Sequence, residues 1–281
     1  MLTTHTIPEI HAAIATRRHG ATVGFVPTMG FLHPGHLSLV DAVRAAGAEF
    51  VVVSIFVNPL QFGPNEDLAL YPRDEARDLE MLAALGVDAA FLPDVGTMYP
   101  PGSQTRVTVG GVAAPLEGAR RPGHFEGVAT VVLKLFGIVQ PDLAAFGRKD
   151  AQQCAVIERM VRDLDVPVRL VFGETVREPD GLAMSSRNSY LSPEERAIAP
   201  ALHRALCAGE AALRRDGGNV EAVEQVMHRA IGETPGIAVD YLALVDPETF
   251  EPPADFARDL LVAGAIRIGR TRLIDNIRIP A

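Results

Sequence analysis

The sequence predicts an α/β protein: an open, doubly wound parallel sheet with a smaller α+β unit at its C-terminal end. Three observations carry that prediction. Continuous β-branched runs of strand length, such as Phe50 to Val57, alternate with stretches of helical spacing; strands buried on both faces of a parallel sheet have this pattern. The turn Pro27-Thr-Met-Gly-Phe-Leu-His-Pro-Gly-His36 follows the first such run and leads into an amphipathic stretch, giving the strand–turn–helix order of a Rossmann-like fold. Near residue 176 the composition shifts to Ala, Glu and Arg in helical arrangement, followed by β-like runs. The expected division is a Rossmann-like unit over 1–175 and a smaller α+β unit over 176–281.

Taken in order, residues 21–28 read as the first strand, and Leu39, Val43 and Ala46 then fall at the i, i+4, i+7 spacing of a helix packed on a sheet. Asn58-Pro59 stops the Phe50–Val57 strand, and Gln61 to Pro72 is a long polar loop. A helix carrying Leu79, Leu82 and Leu85 leads to a strand at Val87–Leu92, which completes a βαβαβ unit. Val95 to Gly111 is irregular apart from a short alternating stretch, Arg106 to Val109, and Arg120 to Phe125 is a basic loop. Val128, Val131, Val132, Leu135 and Val139 form one helical face, which Pro141-Asp142 breaks. A short strand, Leu143–Phe146, ends at Gly147-Arg-Lys-Asp150, and a helix leaves at once with Cys154, Ile157, Val161 and Leu164 on one side. Val166 to Phe172 is the next strand, and Glu178-Pro-Asp-Gly181 is a turn placed to act as a hinge. Helical patterns from Pro193 to about Arg215 and from Val220 to Ile231 precede β-like runs at Ala238–Val245, Leu260–Ile268 and Arg272–Ile279.

The 281 residues, 48% of them hydrophobic, suffice for a full core. A net charge of −9 argues against nucleic acid as the main partner, so any clustered Arg and Lys acquire local meaning. Cys154 and Cys207 fall on apolar or small-residue helical positions and are expected as buried thiols, and no four-ligand zinc pattern is present. The first ten residues lack the basic-then-apolar order of a signal peptide. The apolar runs stay at strand length, short of the roughly 18 residues of a membrane span. A soluble cytoplasmic protein with no membrane partner is expected.

Ligands of an open parallel sheet bind beyond the carboxyl ends of its strands. Met29 to His36, Gln61, Gly147 to Asp150 and Met184-Ser-Ser-Arg187 all fall there on this reading. His33 and His36 stand where a helix begins, and the unpaired N–H groups of a helix start suit a phosphate. The residues alone suit a phosphate site, and their spacing resembles the HxGH nucleotidyltransferase pattern, which leaves the acceptor open. An ATP-sensing regulator built on the same sheet edge is the reading from a different class.

Several separated strings narrow the choice: Pro27–His36, Phe56-Val-Asn-Pro-Leu-Gln-Phe62, Tyr71-Pro-Arg73, Arg121-Pro-Gly-His-Phe125, Phe146-Gly-Arg-Lys-Asp150, Gln152-Gln153 and Met184-Ser-Ser-Arg-Asn188. Together, over nearly the whole chain, they resemble the pantoate–β-alanine ligase family. Arg148 departs from the pattern, since the family usually carries Glu or Gln before the Lys-Asp pair. The resemblance implies ATP-dependent condensation of pantoate with β-alanine through pantoyl adenylate, with release of AMP and pyrophosphate. It implies ATP contacts at Met29, Gly30, Phe31, Leu32, His33, Pro34, Gly35, His36, Gly147, Arg148, Lys149, Asp150, Val176, Met184, Ser185, Ser186 and Arg187. Of these, His33, His36, Lys149 and Arg187 are the catalytic set. Gln61 and Gln153 are the implied pantoate positions, and Gln61 also lies near the β-alanine site. Neutral amides suit this task, because they orient the attacking carboxylate without the loss of nucleophilicity that a tight cation would cause. Mg²⁺ is implied with ATP, with no protein ligand named, and the assembly implied is a homodimer. Arg121 and His124 are either a basic rim or a solvent-facing loop, and Asp150 either orients Lys149 or meets the ribose.

Overall fold

The computed structural model describes every residue except 17–19, 65, 218 and 233. Its larger sheet has six parallel strands in the order β1-β4-β3-β2-β5-β6: β1 (Leu2–Thr4), β2 (Val23–Thr28), β3 (Phe50–Ile55), β4 (Ala89–Phe91), β5 (Leu143–Gly147) and β6 (Arg169–Gly173). From β2 the chain builds outward to β3 and β4, and β5 then returns to the other side of β2. The order therefore reverses between β2 and β5, where a crevice opens at the strands' carboxyl ends. The doubly wound sheet expected from the sequence is thus present. The edge strand β1 went unread because three residues are too few to show a period.

Helices cover both faces. α1 (Ile7–Ala15), α6 (His124–Val139) and α7 (Ala151–Asp163) bury Ile10, Phe136, Ile157 and Met160 against Phe25 and Val52 on one side. On the other, α2 (Pro34–Ala45) and α3 (Glu75–Ala84) pack Leu39, Val43 and Leu82 against Val26, Val51 and Val53. The alternation of Phe25 and Val26 between these two cores is the period of two that puts successive strand side chains on opposite faces. Two one-turn helices, α4 (Val95–Met98) and α5 (Glu117–Arg120), lie in the irregular middle. No strand forms over Arg106–Val109; Val107 and Val109 pack on the core, and the Val107 N–H donates to Thr130 Oγ1 (2.9 Å). The segment read as a basic loop is instead the end of α5, a turn, and the first turn of α6.

The C-terminal part holds α8 (Pro193–Ile198), α9 (Ala201–Asp216), α10 (Val220–Gly232) and a three-stranded antiparallel sheet, β7 (Ile237–Val245), β8 (Leu260–Ile268) and β9 (Thr271–Ile279). It has its own core around Leu202, Leu206, Met227, Leu244 and Ile266. Two side-chain expectations fail. Cys154 is buried, but Cys207 is exposed, one step round α9 from the buried Leu206. Leu164 is 52% exposed, because α7 ends at Asp163 and Leu164 is already its capping residue.

Candidate active site

The turn after β2 is the most constrained backbone near the crevice. Gly30 and Phe31 both take positive φ, 81° and 51°. At Gly30 a Cβ would meet Ile55 Cγ2 at 2.8 Å and Asp78 Oδ2 at 3.0 Å, so only glycine fits. Asp78 reaches in from α3 and accepts from the N–H groups of Phe31 and Leu32, both at 2.7 Å. Burial pushes the Asp78 carboxyl upward, and these two donors oppose it. From the C-terminal part, Ser186 Oγ donates to the Phe31 carbonyl at 3.2 Å.

The start of α2 corrects the sequence argument for the histidines. Its first turn presents no spare N–H. Pro34 has none, the Gly35 N–H donates to His33 Nδ1 (3.2 Å), and the His36 N–H donates to the His33 carbonyl (2.8 Å). The His33 N–H in turn donates to His36 Nδ1 (3.3 Å), so both imidazoles accept at Nδ1. Each neutral ring then carries its proton on Nε2. Burial lowers the pKa of His33 to about 4 and of His36 to about 3, with Lys149 adding to the effect in both and His33 also lowering His36. The two rings, 4.0 Å apart between centroids, are fixed neutral Nε2–H donors at neutral pH.

Lys149 sits in the 3-10 turn 148–150 between β5 and α7. Its Nζ lies 3.7 Å from Asp150 Oδ2, beyond hydrogen-bond length. The turn is tied to the C-terminal sheet by Asn276 Nδ2, which donates to the carbonyls of both Arg148 and Lys149 at 2.9 Å. Arg148 itself turns away, with its guanidinium over the Phe172 ring and its Nε 3.2 Å from Glu174 Oε1. Arg187 forms a bidentate pair with Asp67, both contacts 2.9 Å, and Arg121 forms one with Glu66, both 2.7 Å.

Gln61 is buried in the 3-10 turn 59–61, its Oε1 accepting from Asn58 Nδ2 (3.0 Å) and its Nε2 directed at Met29 Sδ (3.2 Å). His124 Nδ1 donates to the Gln61 carbonyl at 2.9 Å while its Nε2 accepts from Arg121 (2.9 Å), so the segment left open between rim and loop is part of the site wall. Gln152 and Gln153 separate in role. The Gln152 amide bonds the backbone at Val112, Pro115 and Glu117, whereas Gln153 faces the crevice.

These groups surround a cavity of about 210 Å³ at the β2–β5 crevice. Met29, His33, Gly35, His36, Gln61, Gly147, Lys149, Asp150, Gln153, Val176, Met184, Ser185, Ser186 and Arg187 all line it. Gly30, Phe31, Leu32, Pro34 and Arg148 do not: the first four shape the turn behind the wall, and Arg148 is drawn to Glu174. A larger hollow of about 810 Å³ adjoins it, sharing Arg121, His124, Lys149, Asp150, Ser185 and Arg187.

A family model described as pantoate-beta-alanine ligase matches residues 2–278. The chain belongs to the pantoate–β-alanine ligase family. It is 55% identical over 273 residues to the pantothenate synthetase of Herpetosiphon aurantiacus, covering 97% of this chain and 98% of that protein. Its structure is similar to the crystal structure of the Thermus thermophilus pantothenate synthetase (TM-score 0.93, 51% identity, 99% of each chain). It is also similar to the Francisella tularensis pantoate-beta-alanine ligase, crystallised with beta-gamma ATP and beta-alanine (TM-score 0.80, 34% identity, 99% of this chain and 97% of that one).

Several cavity residues were invisible as such in the sequence. Val128, Val131, Val132 and Leu135 of α6 line the cavity, although their spacing reads only as a helix face turned to the core. Asn58 reads as a strand stop, and its lone signal was its place inside the Phe56–Phe62 string that resembles the family. Asp78, which holds the turn behind the cavity wall, carries no signal either, being one more acidic residue near a helix start.

The buried histidines have a consequence for stability. Folding lowers His33, His36 and His124 from 6.5 to about 4, 3 and 4, so below pH 6.5 the unfolded chain takes protons that the folded chain refuses. Stability is expected to be intact above pH 6.5 and to fall as pH drops, by about 1.4 kcal/mol per pH unit for each fully coupled histidine. Urea unfolding at pH 7, 6 and 5 measures this before most carboxylates titrate, and a flat profile would refute it.

Proposed function

We infer that this chain condenses pantoate with β-alanine at the expense of ATP, releasing AMP and pyrophosphate through a bound pantoyl adenylate. ATP-dependent pantoate–β-alanine ligation is the activity of the family to which the chain belongs. The observation that carries the residue-level reading is the meeting, in one cavity, of the neutral donors His33 and His36, the cation Lys149 and the neutral amides of Gln61 and Gln153. That set suits a reaction in which one ligand attacks another. The pantoate carboxylate attacks the α-phosphorus of ATP, and the amine of β-alanine then attacks the mixed anhydride. Positioning and charge stabilisation then supply the catalysis, as in phosphoryl-type transfers generally.

In this reading His33 and His36 donate Nε2–H bonds to the triphosphate, and Lys149 balances the charge that develops on it. Arg187 exchanges Asp67 for phosphate, Ser185 and Ser186 close against the same group, and Met29, Gly35, Gly147, Val176 and Met184 form the walls of the nucleotide site. Gln61 offers an N–H, because its side-chain oxygen is turned toward Asn58, and so orients pantoate without neutralising it. Cys154 takes no part: its thiol is buried and pushed far up. Magnesium enters as part of the MgATP substrate, keeping waters and phosphate oxygens as ligands. Among the described residues no group of three His, Cys, Asp or Glu is placed to hold a metal.

Residues 176–281 are proposed as the unit that closes over the cavity, supported by the reach of Ser186 and Arg187 across it. A homodimer is proposed from the family resemblance, and cytoplasmic residence remains the proposal made from the sequence; among the described residues no helix is long and apolar enough to cross a membrane. No nucleic-acid partner is proposed, in keeping with the charge of −9. A monomer mass by light scattering would overturn the dimer.

Exchange of labelled pyrophosphate into ATP should require pantoate, and bound pantoyl adenylate should accumulate when β-alanine is omitted. Exchange driven by an unrelated acceptor, or tight ATP binding without turnover, would overturn the reading. Gln61→Ala is expected to lower kcat/KM for pantoate by at least about tenfold, as for loss of a buried hydrogen bond, with the KM for ATP little changed. Equal losses for both substrates would remove Gln61 from the pantoate site.

A further inference from the structure

A buried relay leads away from the cavity behind Gln61. Asn58 is 1% exposed and uses both ends of its amide. Its Nδ2 donates to Gln61 Oε1 (3.0 Å) and to the Gly127 carbonyl (3.1 Å), while its Oδ1 accepts from the Leu60 N–H (3.3 Å) and the Tyr99 hydroxyl (2.8 Å). Two of these partners are backbone groups of fixed polarity. A carbonyl can only accept and an N–H can only donate, so the Asn58 amide has one possible orientation. Gln61 must then accept at Oε1 and present Nε2–H, which among the described residues meets the weak thioether acceptor of Met29 (3.2 Å). The Tyr99 contact is the shorter of the two that hold Asn58 Oδ1. Burial pushes the Tyr99 hydroxyl up to about 12, so it keeps the proton that it donates.

We propose that Tyr99 is a positioning residue for pantoate: with the shortest of the Asn58 contacts it anchors the amide whose orientation the backbone sets, and so holds the Gln61 N–H steady toward an acceptor oxygen of the substrate. The proposal rests on the reading of Gln61 as a pantoate contact. Tyr99 does not touch the cavity itself. It stands at the end of α4, 41 positions along the chain from Asn58, and no motif joins the two. Its effect should therefore be confined to the substrate that Gln61 holds and should vanish when Gln61 is gone.

A double-mutant cycle tests this, using Tyr99→Phe, Gln61→Ala and the combined variant, with pantoate-dependent pyrophosphate exchange as the assay. Tyr99→Phe keeps the ring packed on Phe56 (centroids 6.1 Å apart) and removes only the donor. It is expected to lower kcat/KM for pantoate about tenfold, with KM for ATP within about twofold and the melting temperature within a few degrees. In the Gln61→Ala background the same change should cost less than about twofold, since the amide it steadies is absent. A tenfold loss in both backgrounds, or equal losses for pantoate and ATP, overturns the relay. Asn58→Asp gives a second test, because an acceptor facing Gln61 turns the amide round. Pantoate use should then collapse while ATP binding persists, and equal loss of both counts against the proposal. A wild-type chain without pantoate-dependent exchange would overturn the function itself, whereas exchange with additive variants overturns only the relay.

Discussion

Replacing Lys149 by Ala is expected to slow formation of the adenylate by about two to three orders of magnitude, the scale for losing a preorganised electrostatic donor. The fold should survive it. Among the described residues the ammonium has a single, loose ion pair, 3.7 Å to Asp150, and a partly exposed pair of that length contributes little to stability. Its electrostatic setting explains the size of the catalytic effect. His33 and His36 are held neutral, and Arg121 and Arg187 are each matched by a bidentate carboxylate. Lys149 is thus the cavity cation least committed to a protein anion. On the proposed placement of ATP, removal of Lys149 would leave Asp150 near the triphosphate without its neighbouring cation. Rapid-quench measurement of a single turnover without β-alanine reads the step directly, and near-normal adenylation in the variant would exclude Lys149 from the site.

Gly127→Ala is expected to damage both stability and pantoate use. Gly127 lies in the first turn of α6, where an added Cβ would sit 2.3 Å from the Leu60 carbonyl oxygen, 2.5 Å from its carbon and 2.6 Å from the Gln61 nitrogen. All three atoms are backbone, in the 3-10 turn that carries Gln61, so no rotamer change relieves the clash. An exposed helical Gly→Ala change gains up to about 1 kcal/mol of helix propensity. Here overpacking should exceed that gain and leave the variant about 2 kcal/mol less stable than wild type. The forced retreat of the turn also strains the Asn58 contacts to Gly127 and Gln61, so pantoate use should fall with stability. Denaturant unfolding and pantoate kinetics on the same preparation test both parts, and a variant at least as stable as wild type would refute the packing argument.

Local pattern revealed much of this molecule. The doubly wound sheet follows from β-branched runs alternating with helical spacing, because burial on both faces leaves a mark at every position of a strand. Lys149, Gln61, Gln153 and the Ser185–Arg187 segment could be placed near one edge because each follows a strand or bears a resemblance to one family. Arg121 and His124 resisted, since a basic Pro-Gly segment reads alike on a surface and on a cavity wall. What holds them in the wall lies far along the chain, Glu66 for Arg121 and the Gln61 carbonyl for His124.

The Pro27–His36 stretch shows where sequence stops. By itself it determined a strand, a glycine turn, a helix start and two imidazoles at that start. The polarity of those imidazoles was decided only in three dimensions. The helix start was expected to offer free N–H groups, yet the histidines' own Nδ1 atoms and the His33 carbonyl consume them, which leaves Nε2–H as the donors. The fixed amide of Gln61 is decided likewise, by Asn58, the Gly127 carbonyl and the Leu60 N–H. The physical reason is the same in both cases. Hydrophobic burial repeats along the chain and is visible in its period, whereas a hydrogen bond's direction depends on a partner that the chain brings near only by folding.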